Sequence, residues 1–337
     1  MITESDNQTS NRKLNSNMLN EFNFSNINVT IVGLGLIGGS LAKAIRKNID
    51  VGNLWAIDVD ENNLKLAKEE GIIDEGYVEP EIPIADSDIT IFSTYPGKTV
   101  EIIKNNVNYF KPYSIVTDTS GIKNNIVKEI KAFMREDVEF IGGHPMSGKE
   151  SKGYGFSDGC IFSNAEYILT PNENTSDYSM KILTKLIKDM GFKKVTSMSS
   201  ETHDKRIAFT SQLPHIIACA LMNNHNIDKD LGCIGGSFRD MTRVADINSD
   251  LWCELIYENK INILDELENF ILDLNKIYDI LSRDDVENLK LMMQTSCLRR
   301  KEMIKWNLIS IALTLKKRPS LFIKMFLFKT SGYHIYN

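Results

Sequence analysis

The sequence lacks a cysteine pattern, a long apolar run and an apolar leader. Its five cysteines are odd in number and widely spaced, and no CxxC pair occurs among them. That spacing disfavours a zinc ribbon or a redox dithiol, and so few unpatterned cysteines in a long chain are typical of a reducing compartment. No stretch reaches the roughly 18 apolar residues of a membrane-spanning helix, and the polar N-terminus has no signal-peptide core. We therefore expect a cytoplasmic protein with no membrane span and no metal site.

Basic residues are also fewer than acidic residues over most of the chain. The 337 residues carry 39 Lys and Arg against 45 Asp and Glu, a formal net charge of −6. Six of the basic residues follow Met303 with no acidic residue among them, so the body of the chain is more acidic still. An acidic body repels phosphate backbones, which argues against nucleic acid as a partner. The length and the ordinary globular composition indicate two domains.

The first half of the sequence has the texture of an α/β fold. Residues 1–26 are rich in Asn, Ser and Thr without periodicity, which predicts a disordered leader. Over 27–199, short β-branched runs alternate with amphipathic helical segments, as in a doubly wound parallel sheet of the Rossmann type. We expect strands over 29–33, 54–58, 88–94, 114–119, 138–143 and 166–171, and we expect the domain to close near 193–198.

The second half of the sequence predicts helices only. Residues 200–305 carry apolar residues at three- and four-residue spacing, with Pro214 expected to kink or end one helix and a long helix expected over 249–282. So much apolar helix surface would pack on a second subunit, and we therefore expect an all-helical domain that forms a homodimer. Residues 306–337 mix basic and apolar residues. We interpret them as a C-terminal extension and assign them no role.

A glycine-rich turn follows the first predicted strand and opens a helix. In its GxGxxG pattern the first glycine allows a tight turn, the second lets a pyrophosphate approach, and the third permits close helix–strand packing. The helix N-terminus then offers N–H groups to phosphates. Asp58 ends the second strand, where it can bind ribose hydroxyls and repel a 2′-phosphate, so NAD is favoured over NADP. The predicted cofactor-binding residues are Gly33, Gly35, Leu36, Ile37, Gly38 and Asp58.

Three segments punctuated by Gly or Pro concentrate unusual polar residues. They are GGHPMSGKESKG (142–153), THDKRIAFTSQLPH (202–215) and GGSFRDMTRVA (235–245). His144 is expected just after a strand, at the edge where open α/β sheets bind ligands. The third segment presents Arg239 and Arg243 four residues apart, and so on one helical face. The second segment contributes, in order, His203, Asp204 and His215.

These blocks resemble the prephenate dehydrogenase family of tyrosine biosynthesis. The matching stretches are GLGLIGGSLA, TDTSGIK, GGHPMSGKE, HDKRIAFTSQLPH and GGSFRDMTRVADINSDLW. The resemblance implies NAD-dependent oxidative decarboxylation of prephenate to 4-hydroxyphenylpyruvate, with hydride passing from ring C4 to NAD⁺. It implies that His144 accepts the proton of the C4 hydroxyl and that Arg243 holds a substrate carboxylate. The further substrate-binding residues that it implies are Arg239, His215 and Trp252, while the His203–Asp204 pair braces the site.

Two departures from the family pattern concern the site. The family's LPH block usually begins Ser-His, whereas here Ser211 is followed by Gln212, which takes the place of a substrate-side histidine. The family loop GSVK carries a serine near substrate and nicotinamide, whereas here Ser120 precedes Gly121, so the candidate catalytic hydroxyl of Ser120 is shifted by one position. Three alternatives stay open: an arogenate dehydrogenase, another dehydrogenase with a helical domain such as a β-hydroxyacid dehydrogenase, and a non-catalytic NAD-binding dimer.

Overall fold

The first part of the chain builds one sheet with helices on both faces. The computed structural model describes residues 22–149, 151–224 and 233–316, with side chains as far as residue 303. Its eight-stranded sheet has the order β3-β2-β1-β4-β5-β6-β7-β8. The strands are β1 Val29–Val32, β2 Leu54–Ile57, β3 Glu75–Tyr77, β4 Ile89–Phe92, β5 Ile115–Asp118, β6 Glu139–Pro145, β7 Glu166–Thr170 and β8 Lys194–Ser197.

The central strands explain why the sheet forms. Every residue of β1, β4 and β5 is buried, because helices cover both faces of a parallel sheet and leave no solvent side to favour polar residues. The helices that accompany the sheet are α1 Leu36–Asn48, α2 Glu61–Glu69, α3 Glu81–Asp86, α4 Pro96–Asn105, α5 Asn124–Phe133 and α6 Asp177–Asp189. The predicted Rossmann-type α/β domain is confirmed.

A helical part follows the sheet, as predicted. Its helices are α7 Ser200–Ile207, α8 Leu213–Met222, α9 Gly236–Thr242, α10 Ser249–Glu258, α11 Lys260–Ser282 and α12 Val286–Lys316. The long helix expected over 249–282 is interrupted at Asn259, whose side chain is buried. In the described part of the chain, no helix is long and apolar enough to cross a membrane.

The sheet differs from the prediction in two places. β3 was not predicted, because its three residues, EGY, contain no β-branched run. The sheet is also not wholly parallel, since β7 runs antiparallel to β6. β6 changes partner along its length: residues 139–141 pair with β5, whereas residues 142–145 pair with β7. His144 therefore lies inside β6, opposite Ile168, and not after the strand as expected.

Pro214 causes a wide turn and does not end the helical run. A π-helical segment, Ala208–Gln212, joins α7 to α8 directly, and the backbone N–H of Leu213 donates to the carbonyl of Ala208, five residues earlier. A proline within a helix has no N–H and its ring clashes with the carbonyl four residues before it. The π-bulge gives that carbonyl room, so the chain continues as a helix through Pro214.

The ends of the described chain extend the ordered structure beyond the predicted boundaries. Phe22 and Phe24 contact edge to face at 5.1 Å, and Phe24 is buried in the core, so residues 22–26 pack against the domain and are not part of a leader. At the other end, α12 continues through Lys316 into the expected extension. The rest of the expected leader, 1–21, and of the extension, 317–337, lie outside the described residues.

The chain divides into two compact units within α11. They are Met1–Leu267 and Glu268–Asn337, whereas the domain boundary was expected between residues 199 and 200. The helices that follow residue 199 are joined to the sheet by buried contacts: the Asp204 carboxylate binds the start of α5, and Leu255 of α10 lies in the core cluster beside β5. The first unit therefore contains the sheet and the helices up to the start of α11.

Gly143 offers a test of the packing between β5, β6 and β7. A Cβ built on Gly143 would lie 2.5 Å from the Asp118 carbonyl oxygen and 2.6 Å from the Tyr167 hydroxyl. We expect Gly143→Ala to lower the free energy of unfolding by about 1–3 kcal/mol, since neighbouring backbone would have to shift. Urea denaturation measures the change, with Gly155→Ala as the matched control because a Cβ there meets nothing within 4 Å. Equal losses in both variants would contradict the packing argument.

Candidate active site

The glycine turn after β1 forms an open cradle at the start of α1. Gly33 has φ +92°, a left-handed conformation that side chains disfavour, and a Cβ on Gly38 would lie 1.8 Å from the Gly33 carbonyl oxygen. A Cβ on Gly35 meets nothing within 4 Å, so open space borders the backbone there. Among the described residues, no side chain caps the first turn of α1, where the half-buried Leu36 and Ile37 lie. The free N–H groups and open space fit a pyrophosphate.

Asp58 follows β2 and holds this turn in place. One carboxylate oxygen accepts the N–H of Leu34 at 2.6 Å, and the other accepts the N–H of Asp60 at 2.8 Å. The side chain is half-buried, and the next residue, Val59, is 88% exposed. A fixed carboxylate at this edge fits ribose hydroxyls and disfavours a 2′-phosphate. The residues present therefore fit NAD.

The two histidines predicted at the site meet directly. His144 Nδ1 lies 2.9 Å from His203 Nε2, and His203 Nδ1 lies 2.7 Å from a carboxylate oxygen of Asp204. His203 is fully buried and Asp204 is 3% exposed, while His144 is half-buried. β6 supplies the first of these residues and α7 the other two, so an unbroken chain of hydrogen bonds runs from the sheet edge into the interior.

A buried ion pair lies beneath the histidines. The carboxylate of Asp118, the last residue of β5, binds the ammonium of Lys123, and both side chains have no exposed area. Asp118 also accepts the backbone N–H groups of Ser120 and Gly143, each at 3.0 Å. The same carboxylate therefore ties the loop after β5 to β6, next to His144.

Burial and nearby charge keep both histidines neutral. Loss of solvent lowers the pKa of His144 well below its usual value of 6.5, and the neighbouring His203 and Lys123 lower it further. Burial also lowers the pKa of His203, although its hydrogen bond to Asp204 opposes that shift. The pKa of Lys123 is lowered by burial against the opposing attraction of Asp118. At neutral pH, His144 is thus an unprotonated ring that can accept a proton.

The loop after β5 brings Gly121 close to the Nε2 atom of His144. A Cβ built on Gly121 would lie 3.9 Å from His144 Nε2 and 3.4 Å from the methyl groups of Leu255. The Ser120 hydroxyl is buried and has no hydrogen-bond partner within the described part of the chain. The predicted catalytic role of the Ser120 hydroxyl therefore stays a prediction.

His215 and Trp252 stack in the helical half of the first unit. Their ring centroids are 3.8 Å apart and the planes are inclined by 28°. The Nδ1 of His215 lies 2.7 Å from the Ser211 carbonyl oxygen, which can only accept, so this nitrogen carries the hydrogen. Both rings are half-buried. The two stacked rings form a flat aromatic surface, which we call the His215–Trp252 shelf.

Gln212 points inward, in contrast to its predicted position beside substrate. Its side chain is 1% exposed, its amide nitrogen donates to the Leu255 carbonyl at 2.8 Å, and its amide oxygen accepts from Asn259 at 2.6 Å. An amide with both ends bonded inside the protein is not available to a ligand. The residue instead joins α10 to the π-helical segment.

The two predicted arginines are exposed and do not share one helix. Arg239 lies in α9, whereas Arg243 follows the end of that helix and begins a 3₁₀ turn, Arg243–Ala245. This turn packs against α8, the helix that carries His215. The structure thus brings Arg243 to the helix of the His215–Trp252 shelf, and the carboxylate clamp at Arg243 stays a prediction.

Three residues of this network were not predicted. They are Asp118, Lys123 and Asn259, all of them buried. The first two lie in the TDTSGIK block. The sequence signal that could have identified them is an acidic residue at the end of a strand with a basic residue five positions later. Asn259 donates to the Asp204 carbonyl at 2.8 Å, and its only trace in the sequence is a polar residue inside an apolar helical pattern.

Two family models match successive parts of the chain. Residues 41–196 match the model described as "Prephenate dehydrogenase, nucleotide-binding domain", and residues 199–295 match "Prephenate dehydrogenase, dimerization domain". The chain is 30% identical over 267 residues to the prephenate dehydrogenase of Bacillus subtilis, covering 77% of this chain and 72% of the relative. It is 32% identical over 258 residues to that of Lactococcus lactis, covering 74% and 70%.

A solved structure has the same fold over most of the chain. The prephenate dehydrogenase of Aquifex aeolicus, crystallised with hydroxyphenyl propionate and NAD⁺, superposes with a TM-score of 0.73 at 29% identity. The match covers 82% of this chain and 98% of that one. With the nucleotide-binding family model, this likeness confirms NAD as the cofactor predicted from the glycine turn and Asp58.

Asp58 provides a test of cofactor choice. In Asp58→Asn, an amide oxygen can still accept the Leu34 N–H, but the charge that opposes a 2′-phosphate is lost. We expect the ratio of dissociation constants for NADPH and NADH to fall by about tenfold or more, as a unit charge at contact distance is worth about 1–4 kcal/mol. Fluorescence titration measures both constants. Asp60→Asn is the control, because it removes a charge two residues away; the same fall there would contradict a specific role for Asp58.

Proposed function

This chain belongs to the prephenate dehydrogenase family, and we propose that it converts prephenate to 4-hydroxyphenylpyruvate with NAD⁺ as the oxidant. The observation that carries the proposal is the neutral ring of His144, held at the edge of the sheet by a buried hydrogen-bonded chain. A dehydrogenase that oxidises a ring carbinol needs one such proton acceptor. The glycine turn after β1 and Asp58 would hold the cofactor.

For this reaction the protein has to position the substrate and the cofactor and to provide one proton acceptor. NAD⁺, when bound, supplies the acceptor for the hydride of ring C4. His144 takes the proton of the C4 hydroxyl at Nε2, so that C4 can become a carbonyl carbon. The bond from C1 to its carboxylate then breaks, its electrons make the ring aromatic, and carbon dioxide leaves. His144 returns the proton to the phenolate oxygen, and no net proton is released.

Prephenate carries two carboxylates, and the pocket therefore needs fixed positive charge. Arg243 is our candidate because a guanidinium binds a carboxylate through two parallel hydrogen bonds. Its turn packs on α8, beside the shelf of His215 and Trp252. On α10, Trp252 and Leu255 lie three residues apart and so share a face, and Leu255 reaches Gly121 beside His144. This continuity supports a substrate pocket between His144 and the shelf, and Arg239 stays a predicted substrate-binding residue.

We further propose that two copies of the chain form a dimer through the helical region. The match to the dimerization family model supports this. Large apolar side chains are also exposed along α11 and α12, a surface that a monomer rarely leaves open. They include Ile271, Leu272, Leu274, Tyr278, Leu281, Leu291, Met293 and Leu298.

The proposed function predicts NADH formation from prephenate and its dependence on His144. We expect turnover with prephenate and NAD⁺, and a decrease in kcat of about 10²–10⁴-fold in His144→Asn with little change in KM. Because the pKa of His144 is held well below 6.5, kcat/KM should stay level from neutral pH down through 6.5. It should fall only below that pH, as the base becomes protonated.

Arogenate serves as the second substrate in the same assay. Turnover with arogenate alone would move the proposal to the amine-bearing substrate and keep the role of His144. Turnover with neither substrate would overturn the function, and an unchanged kcat in His144→Asn would overturn the base.

The proposed role of Arg243 in binding a substrate carboxylate is tested by comparing KM for prephenate with KM for NAD⁺. We expect Arg243→Ala to raise KM for prephenate by about 10-fold or more while KM for NAD⁺ stays within about twofold, since a charge-assisted hydrogen bond contributes roughly 1.5–3 kcal/mol. Lys128→Ala is the control, because it removes an exposed cation from α5. Equal effects of Arg243→Ala on both constants would indicate a structural role.

A further inference from the structure

We propose that His203 is a positioning residue that fixes which nitrogen of His144 accepts the substrate proton. This inference rests on the proposed function, because it concerns the base assigned there. The two rings and the Asp204 carboxylate form a chain in which, for a neutral His203, the position of each hydrogen follows from that of its neighbour. The hydrogen-bond inventory of each group determines that position, beginning from the buried end.

Both oxygens of Asp204 are committed as acceptors. One accepts the backbone N–H of Lys123 and the other that of Asn124, each at 2.8 Å. A backbone N–H can only donate, so both oxygens of the Asp204 side chain act as acceptors in these bonds. His203 Nδ1, at 2.7 Å from the first of these oxygens, must therefore be the donor of that bond.

The position of the hydrogen on His203 then determines which nitrogen of His144 carries a hydrogen. A neutral His203 with its hydrogen on Nδ1 has a bare Nε2, which can only accept. His144 Nδ1 lies 2.9 Å from that atom and must donate to it. The remaining nitrogen of His144, Nε2, is left with a lone pair. His144 is thereby held in the tautomer that a general base needs at Nε2.

The nitrogen that carries the lone pair faces Gly121, where no side chain is present. Gly121 borders His144 Nε2, and even a Cβ added there would be 3.9 Å away. Nδ1, in contrast, faces the fully buried His203. The reactive nitrogen and the bracing nitrogen thus lie on opposite sides, one toward the proposed substrate pocket and the other toward the protein interior.

The anchor at the buried end is rigid. Asn259 donates to the carbonyl of Asp204 at 2.8 Å, in addition to the two backbone bonds to its carboxylate. If His203 were protonated, its Nε2–H would demand an acceptor at His144 Nδ1 and force the hydrogen of His144 onto Nε2. Burial and the ammonium of Lys123 oppose that protonation by lowering the pKa of His203, whereas Asp204 and Asp118 favour it.

The same chain of hydrogen bonds also stabilises His144 after it has accepted the substrate proton. When Nε2 takes the substrate proton, His144 becomes a cation whose Nδ1–H still points at the lone pair of His203, with the Asp204 carboxylate behind it. The opposing charge is the ammonium of Lys123, which Asp118 neutralises. Because the proton returns to the phenolate, the buried chain needs no exit to solvent.

Nitrogen NMR of the protein without substrate tests the arrangement directly. With ¹⁵N-labelled histidine at neutral pH, we expect His144 to show a protonated Nδ1 and an unprotonated Nε2. The signals of the chain's five histidines are assigned by their loss in His144→Asn and His203→Gln. A hydrogen on Nε2 of His144 would overturn the proposal.

Two substitutions of His203 separate positioning from packing. Gln can place an amide oxygen near the position of His203 Nε2 and keep an acceptor for His144, whereas Leu fills similar space without one. We expect His203→Leu to lower kcat by on the order of 10²-fold, with KM for both substrates within about threefold. We expect His203→Gln to retain kcat within about tenfold of the unsubstituted protein and to preserve the His144 tautomer. Leu186→Ala, a cavity in the buried face of α6, controls for lost stability.

The outcomes distinguish this inference from the proposed function. Equal losses of kcat in His203→Leu and His203→Gln, with the His144 tautomer unchanged in both, would reduce His203 to packing and overturn the inference. An unchanged kcat in His144→Asn would instead overturn the base assignment, while the nitrogen signals would still report the hydrogen-bonded chain. If His203→Leu does not fold, the tautomer in the unsubstituted protein and in His203→Gln decides the matter.

Discussion

The buried carboxylate of Asp118 is the constraint on which the site depends. It binds the Lys123 ammonium and two backbone N–H groups, one in the loop after β5 and one in β6. Removing two charges from water costs several kcal/mol per ion before their attraction is counted, so such a pair is retained only with close geometry and further hydrogen bonds. Here the pair fixes the backbone of Lys123, which in turn binds Asp204. The position of His144 and the anchor of His203 thus depend on one carboxylate.

Much of the fold could be predicted because burial leaves a direct trace in the sequence. β1, β4 and β5 are apolar runs because both faces of the sheet are covered, and Gly33 and Gly38 are required by close backbone approach. β3 leaves no such trace, since its three residues are only half-buried. The change of partner strand within β6 also leaves no trace in the sequence, because Gly142 and Gly143 can pair with a parallel or an antiparallel strand equally well. Local pattern therefore identifies strands better than it identifies their pairing.

The site was predicted less completely than the fold, for a related reason. His144, His203 and Asp204 were found because they stand out by residue type, yet their order in a hydrogen-bonded chain depends on contacts 59 residues apart in sequence. Gln212 was expected at the substrate because it occupies the place of a histidine in the family block. Its partners, Asn259 and the Leu255 carbonyl, lie more than 40 residues further along. Which way a polar side chain points is thus decided by partners that sequence spacing does not reveal.

The partner change of β6 has a consequence for how such an enzyme can diversify. His144 lies on a strand whose backbone is hydrogen-bonded along β7, so its backbone cannot move without disrupting the sheet. The aromatic shelf and the exposed arginines belong to helices and a 3₁₀ turn, which tolerate small rotations and changes of side chain. On the proposed function, proton transfer and substrate recognition therefore depend on different structural elements. On the same proposal, substitutions in α8, α10 and the 3₁₀ turn can change which substrate side chain is accepted, while β6 and α7 keep the hydrogen-bonded chain from Asp204 through His203 to His144.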